Sequence, residues 1–390
     1  MNRTYYDITT KSLNKKNEEL CGDKVEIVNA GEDVIVVLSD GLGSGVKANI
    51  LATLTSKILA TMIKGGATLE DTVETVACTL PVCKVRKVAY STFSVLKLSS
   101  SGKAHLTEFD SPGCLYFKNG EACPIQYTTR EVAGKTIREA ELTLAYGDVL
   151  TLISDGVMYA GLGAILNLGW NWDSIRDFLQ QRLQNEESSA RLTSSLIGAC
   201  ADLYMDMPGD DTTVATVRAV PRQDVCLLSG PPEKKEDDKP MIGSFVSAAG
   251  TKVVCGGSTA NMVARVLQKK LVTPLSYGSD LPPLGYIEDI DLVTEGVLTL
   301  RQTNVLLHRY LKTPTDPALL KELNGSDGAS RLAKMLIEHC THLSMFVGTA
   351  INPAHQNPNF PADLSIKTRL LEELAGVLQK TGKQVDISYY

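Results

Sequence analysis

A run of apolar residues that stops on Ser-Asp-Gly occurs twice in this chain. It spans Val34 to Gly41 (Val-Ile-Val-Val-Leu-Ser-Asp-Gly) and again Val149 to Gly156 (Val-Leu-Thr-Leu-Ile-Ser-Asp-Gly). A short run this rich in β-branched residues reads as a buried strand. Its Asp delivers a charge to the end of the strand, and the following Gly lets the backbone turn away. Asp40 and Asp155 are therefore expected at the ends of two buried strands, a way for a fold to offer oxygen ligands to a hard cation.

The surroundings multiply these acids. Lys24 to Val28 and Asp33 to Ser39 read as strands joined by Asn29-Ala30-Gly31-Glu32, which is a hairpin. Antiparallel pairing about that turn puts Asp23 opposite Asp40. Gly209-Asp210-Asp211-Thr212-Thr213-Val214 places further acids just before a strand that can run antiparallel to the one ending on Asp155. All four sites are expected to share one sheet edge. Carboxylates so grouped repel one another and resist ionising unless cations compensate them. An all-oxygen ligand set favours Mg²⁺ or Mn²⁺, and two such ions about 3.5–4 Å apart activate a bridging water for in-line attack on a phosphoryl group.

The rest of the first half reads as a block of strands with helices before and after it, an α+β layered arrangement. Helices are expected from Val46 to Ile63 and Leu69 to Thr79, then strands at Ser91 to Leu98, Ala104 to Phe109, Leu115 to Lys118, Glu141 to Leu144 and Asp148 to Ser154. Helices return at Trp172 to Leu183 and Ser188 to Met205 before a closing strand, Thr212 to Val220. Gly41-x-Gly43-x-Gly45 imitates a dinucleotide loop, but Val46 stands where the third glycine of that motif belongs.

These acids and their neighbours carry a resemblance. Cys21-Gly22-Asp23, Ser39 to Gly45, Ser91-Thr92-Phe93, Gly147-Asp148, Ser154-Asp155-Gly156 and Asp210 to Val214 together resemble the metal-dependent type 2C protein phosphatases, in the branch of the bacterial stage II sporulation protein E, over about residues 15–220. The resemblance implies a β-sandwich flanked by helices and a two-metal phosphoserine/phosphothreonine phosphatase acting on a phosphorylated protein. Carried over by motif, Asp40 would bridge two Mn²⁺ or Mg²⁺ ions, Asp23 and the Gly41 carbonyl would serve one, and Asp155 and Asp210 the other. Asp40 and Asp155 would be the central catalytic acids, with Asp211 supporting the ligands from behind. Many eukaryotic members have His after the first Asp-Gly where this chain has Leu42, so a metal-bound water is expected to protonate the leaving oxygen. In the sporulation branch the two helices after that Asp-Gly act as a switch, a role that would fall on Val46 to Thr79.

At 390 residues the chain exceeds the usual range of one hydrophobic core. Ser229 to Pro240, with three prolines and a run of charges, reads as a linker. The expected division is a phosphatase domain at 1–222, a linker at 223–240 and a C-terminal α/β domain at 241–390. In that last part Thr251 to Cys255 reads as a strand, and Gly256-Gly257-Ser258-Thr259 leads into a helix, a place for a small anionic ligand. Helices are expected at Thr303 to Leu311, Pro317 to Leu323, Ser330 to His339 and Leu364 to Lys380. The C-terminal domain is read as regulatory. The alternatives are a non-catalytic phosphoprotein-binding module that keeps the fold, and a nucleotide-binding C-terminal enzyme regulated by the first domain.

A net charge of −6 argues against a general nucleic-acid partner. No membrane span of about 20 apolar residues stands out, and the N-terminus lacks the apolar core of a signal peptide, so a cytoplasmic protein is expected. Nine cysteines without a C-x-x-C pair read as reduced thiols.

Overall fold

The computed structural model describes residues 3–79, 91–163, 165–186, 188–273, 284–350 and 366–390. The first two residues of the expected helix Leu364 to Lys380, and Cys83, lie outside them. The chain divides into two compact units, Met1–Pro221 and Arg222–Tyr390.

In the first unit the uninterrupted apolar phrases are explained by burial on both faces. The strands are β1 (Tyr5–Leu13), β2 (Asp23–Ala30), β3 (Asp33–Gly41), β4 (Ser91–Leu98), β5 (Lys103–Phe109), β6 (Leu115–Lys118), β7 (Glu121–Ala122), β8 (Thr128–Val132), β9 (Lys135–Thr143), β10 (Val149–Ile153) and β11 (Thr212–Val220). They form two antiparallel sheets, of order β2-β3-β4-β5-β9-β8 and β1-β11-β10-β6-β7. Val36 and Leu38 on β3 meet Leu150 and Leu152 on β10 in the layer between the sheets. The alternate residues Ile35 and Val37 face outward, under α1 (Gly45–Lys64) and α2 (Leu69–Thr79). Val149 and Ile153 likewise face α4 (Trp172–Leu183) and α5 (Ser189–Leu203), while the single turn α3 (Asp155–Met158) follows β10. The result is a β-sandwich flanked by helices.

Capping fixes where two helices begin. The Asn171 side chain accepts from Ser174 N ahead of α4, and Ser188 accepts from Arg191 N ahead of α5. α1 differs from expectation in one respect: its 20 residues are long and apolar enough for a membrane span by length and composition. Here Ala48, Leu51, Ala52, Leu59 and Ala60 bury that apolar face, with Leu51, Leu59 and Ala60 in the layer over the β2–β3 sheet. β1 and β8 carry no strong strand signal, since β1 is half-buried and β8 mostly exposed; their pairing with β11 and β9 makes them strands.

The second unit is an α/β domain with a parallel five-stranded sheet. Its strands are β12 (Asp224–Ser229), β13 (Thr251–Cys255), β14 (Leu292–Thr294), β15 (His342–Val347) and β16 (Gln384–Tyr389), in the order β14-β13-β12-β15-β16. The helices are α6 (Asp238–Ser247), α7 (Gly257–Leu267), α8 (Val297–Lys312), α9 (Pro317–Glu322), α10 (Gly328–Glu338) and α11 (Ile366–Lys380). The expected linker at 223–240 is corrected by this sheet. β12 is its central strand, with Val225, Cys226, Leu227 and Leu228 fully buried and paired to β13 and β15. The prolines and charges of Ser229 to Pro240 follow directly on the apolar Val225 to Leu228 run, which is a fully buried strand.

This placement makes a direct prediction. Leu227→Asp puts a charge in the middle of a parallel sheet and is expected to unfold the second unit, a loss of more than about 4 kcal/mol. Urea denaturation with limited proteolysis checks it; a linker would accept the same change silently.

Candidate metal centre

The hairpin delivers its acids as its length dictates. Asp23 pairs directly with Asp40 across β2 and β3, and Thr92 of β4 lies on the other side of Asp40. Ser91 Oγ donates to the Asp40 carbonyl at 2.9 Å and lies 2.6 Å from Ser39 Oγ, so the strand end is held by hydroxyls. Gly41 N donates to Gly22 O at 3.1 Å. A Cβ on Gly41 would stand 2.1 Å from the Ala48 carbonyl oxygen, so the first turns of α1 rest on bare backbone.

The second group comes from the other sheet. β10 and β11 are antiparallel with Ile153 opposite Val214, as the sequence pattern suggests. Ser154 N donates to Thr213 O at 3.0 Å and its hydroxyl accepts from Thr213 N at 2.8 Å, which sets Asp155 beside the start of β11. A Cβ on Gly156 would lie 2.0 Å from the Asp211 carbonyl oxygen. Asp211 Oδ1 accepts from Lys15 N at 3.0 Å, and Lys15 Nζ lies 3.7 Å from Asp210 Oδ1. Asp211 Oδ2 would meet a Cβ on Gly22 at 2.7 Å, so this side chain spans from one strand group to the other. The expectation of one shared edge is thus corrected: Asp23 and Asp40 end one sheet, Asp155, Asp210 and Asp211 the other, and the two ends converge.

The electrostatics follow from that convergence. Burial raises the Asp23 carboxyl, and Asp211 and Asp155 push it further; the Thr213 and Ser154 hydroxyls temper the shift without a full hydrogen bond to either oxygen. Burial also raises Asp40, helped by the charges of Asp23, Asp155 and Asp210 and by the bond that its protonated carboxyl gives to Asp155. Asp155 is raised by burial and by Asp210, and lowered by Asp40 and the Gly156 amide. Asp110 also acts on Asp155, and sequence reasoning missed it; its one signal is a position between strands, where it adopts φ +51°.

Both Asp23 oxygens and Asp211 Oδ2 are buried without a hydrogen-bond partner. Unpaired hard oxygen donors of this kind fit a divalent cation. Among the described residues no three acidic, His or Cys side chains stand as a closed coordination set, so the acids converge without forming a finished cage.

Residues 30–220 match the family model for stage II sporulation protein E. This part of the chain is a stage II sporulation protein E domain of the type 2C phosphatase family. The phosphatase domain of the cell fate determinant SpoIIE from Bacillus subtilis is similar at 16% identity and a TM-score of 0.42, covering 57% of this chain and 95% of that one. The RsbU and RsbW domains of Rv1364c from Mycobacterium tuberculosis reach 18% identity and a TM-score of 0.47, covering 63% and 69%. RsbX in complex with magnesium matches at 16% identity and a TM-score of 0.39, covering 56% and 100%. None of the curated proteins matches the chain.

Other polar residues lie elsewhere in their own networks. Asp148 of the Gly147-Asp148 pair accepts from Tyr116 OH at 3.1 Å and Ala145 N at 2.9 Å, a buried turn support. In the second unit Gly256 has φ +113° and is itself the N-cap of α7, so neither Ser258 nor Thr259 caps that helix. Thr259 is buried with its hydroxyl accepting from Gly230 N at 2.8 Å, which ties α7 to the end of β12; Ser258 is exposed beside Gly257. His342 Nδ1 meets the Thr341 hydroxyl at 2.9 Å, and the described cysteines are all free thiols.

Two outcomes test this centre of the stage II sporulation protein E domain. Asp23 and Asp40 bind protons in the folded state up to about pH 7 and about pH 9, against 3.8 when unfolded, so their contribution is full below pH 3.8 and is lost as pH rises. The melting temperature in EDTA is expected to fall between pH 4 and 9, and saturating Mn²⁺ to flatten that slope; calorimetry across the range reads both. Gly41→Ala is expected to cost more than about 3 kcal/mol, because backbone must move to admit the methyl group, and urea unfolding measures it.

Proposed function

We propose that the first unit is a metal-dependent phosphoserine/phosphothreonine protein phosphatase. The observation that carries this reading is the convergence of Asp23 and Asp40 from one sheet with Asp155, Asp210 and Asp211 from the other, around buried carboxylate oxygens that lack partners. Asp40 would face both of two Mn²⁺ or Mg²⁺ ions, Asp23 and the Gly41 carbonyl one, and Asp155 and Asp210 the other. When bound, such ions supply charge compensation and a water of lowered pKa for in-line attack on a phosphoryl group.

The chain's own residues do the rest. The Ser39 and Ser91 hydroxyls hold the end of β3, and Ser154 with Thr213 holds the start of α3, so the acids are fixed before substrate arrives. Asp211 binds the loop after β1 through Lys15 N and keeps Lys15 near Asp210. Leu42 offers no proton, so the leaving oxygen takes its proton from water.

For the second unit we propose a sensing role. In a parallel sheet of order β14-β13-β12-β15-β16, ligands are taken outside the carboxyl ends of the strands, where the order reverses. The amides of Gly257 to Thr259 at the start of α7 suit a small anion there, the Gly256 amide being taken by Thr294 O at 2.9 Å and the Thr259 hydroxyl by Gly230.

The test is turnover of p-nitrophenyl phosphate and a phosphothreonine peptide by the full chain, with Mn²⁺ and with EDTA. Phosphate release is expected only with metal, and Asp40→Asn or Asp155→Asn should reduce it by more than about 100-fold while the melting temperature in EDTA rises by roughly 5 °C as repulsion is relieved. Unchanged turnover in either variant would sink the mechanism, and peptide binding without release would mark a non-catalytic phosphoprotein reader instead.

A further inference from the structure

Exposed large apolar side chains crowd the Asp155 and Asp210 side of the acidic cluster. Tyr159, Leu162, Ile165 and Leu168 follow Asp155 within one loop, and Leu168 at 91% exposure is the most exposed large apolar residue described. Met205 and Met207 precede Asp210 and are 59% and 49% exposed. A contiguous apolar patch is costly to leave in water and marks a surface that something covers.

The two segments are joined at their bases beside Gly156. Tyr204 OH donates to the Gly156 carbonyl at 2.7 Å, and a Cβ on Gly161 would lie 3.5 Å from Leu203 Cβ, so the loop after α3 packs on the end of α5. The loop is tied down by Trp170 N to Met158 O at 2.8 Å and Leu166 N to Gly161 O at 2.9 Å. Met205 and Asp206 both hold left-handed backbone, φ +53° and +58°, and Asp206 N donates to Ala201 O at 2.9 Å, which ends α5 and fixes where the two methionines emerge. A phosphoseryl or phosphothreonyl side chain is only a few bonds long. To bring its phosphoryl group among the acids, the substrate backbone must pass close to them, and this rim is joined to the acids' own strand end at Gly156.

We propose that the substrate is a phosphoprotein whose residues flanking the phosphorylated position are apolar, and that Tyr159, Leu162, Ile165, Leu168, Met205 and Met207 are the residues that select it. The inference rests on the phosphatase reading. Polar or charged flanks would leave the rim wet and forgo its burial, so discrimination lies in the flanks while the reacting centre is unaltered.

The experiment uses the full chain with two labelled phosphothreonine peptides of equal length and charge, one flanked by Leu and one by Gly and Ser. With Mn²⁺ the Leu-flanked peptide is expected to show a kcat/KM at least about tenfold higher, and Leu162→Asp/Leu168→Asp to erase that preference while p-nitrophenyl phosphate turnover stays within about twofold of wild type. Equal handling of the two peptides, or a double variant that slows p-nitrophenyl phosphate as much as peptide, overturns the proposal. Fluorescence anisotropy of the same peptides decides it without turnover. Tighter binding of the Leu-flanked peptide, lost in the double variant, supports the rim even if p-nitrophenyl phosphate is not hydrolysed; absence of hydrolysis sinks only the phosphatase reading, and equal binding sinks only the rim.

Discussion

Backbone pressed against backbone at two glycines is the constraint on which the acidic centre depends. Gly41 lets the first turns of α1 settle onto the end of β3, and Gly156 lets the start of β11 settle onto α3. Any side chain at either place would separate the layer that carries its Asp from its neighbour. Close approach brings five carboxylates together, and their mutual repulsion is then the stored free energy that a cation can release. On the proposed reading, fold stability and cation affinity are set against each other here, as in other sites where burial opposes ionisation.

Much of this was legible in the residues. The two Ser-Asp-Gly phrases marked strand ends, and the short Asn29 to Glu32 turn fixed the Asp23–Asp40 pairing because antiparallel register follows from turn length. Most helices and the buried strands of the first unit followed from periodicity, whereas β1, β7, β8 and the turn α3 did not, and β9 was legible only near its end at Glu141. What sequence could not supply was the assignment of strands to sheets. Asp40 and Asp155 end identical phrases, yet they belong to opposite layers of the sandwich, a fact carried by long-range pairing such as β1 with β11.

The second unit shows the opposite case. Val225 to Leu228 is a four-residue apolar run followed closely by prolines and charges, and local composition outweighed it. Only pairing with β13 and β15 on both sides reveals it as the central strand. Short parallel strands buried on both faces carry little pattern of their own. The turn at Gly256 was legible as a glycine requirement, but the capture of the Thr259 hydroxyl by Gly230 depends on a residue 29 positions away.

The double burial of β3 has a further consequence. In a sheet with one wet face, a slip of one residue exposes the core and is forbidden by hydrophobicity alone. β3 has no wet face: Val36 and Leu38 enter one layer, Ile35 and Val37 the other, and exchanging the two sets would leave every side chain dry. Its register must be policed from the ends, by the turn at Gly31 and by the fit of Gly41 beneath Ala48. The residues that present the acids are thus also the alignment marks of the sheet, so a change that loosened the centre would loosen the threading of the strand with it.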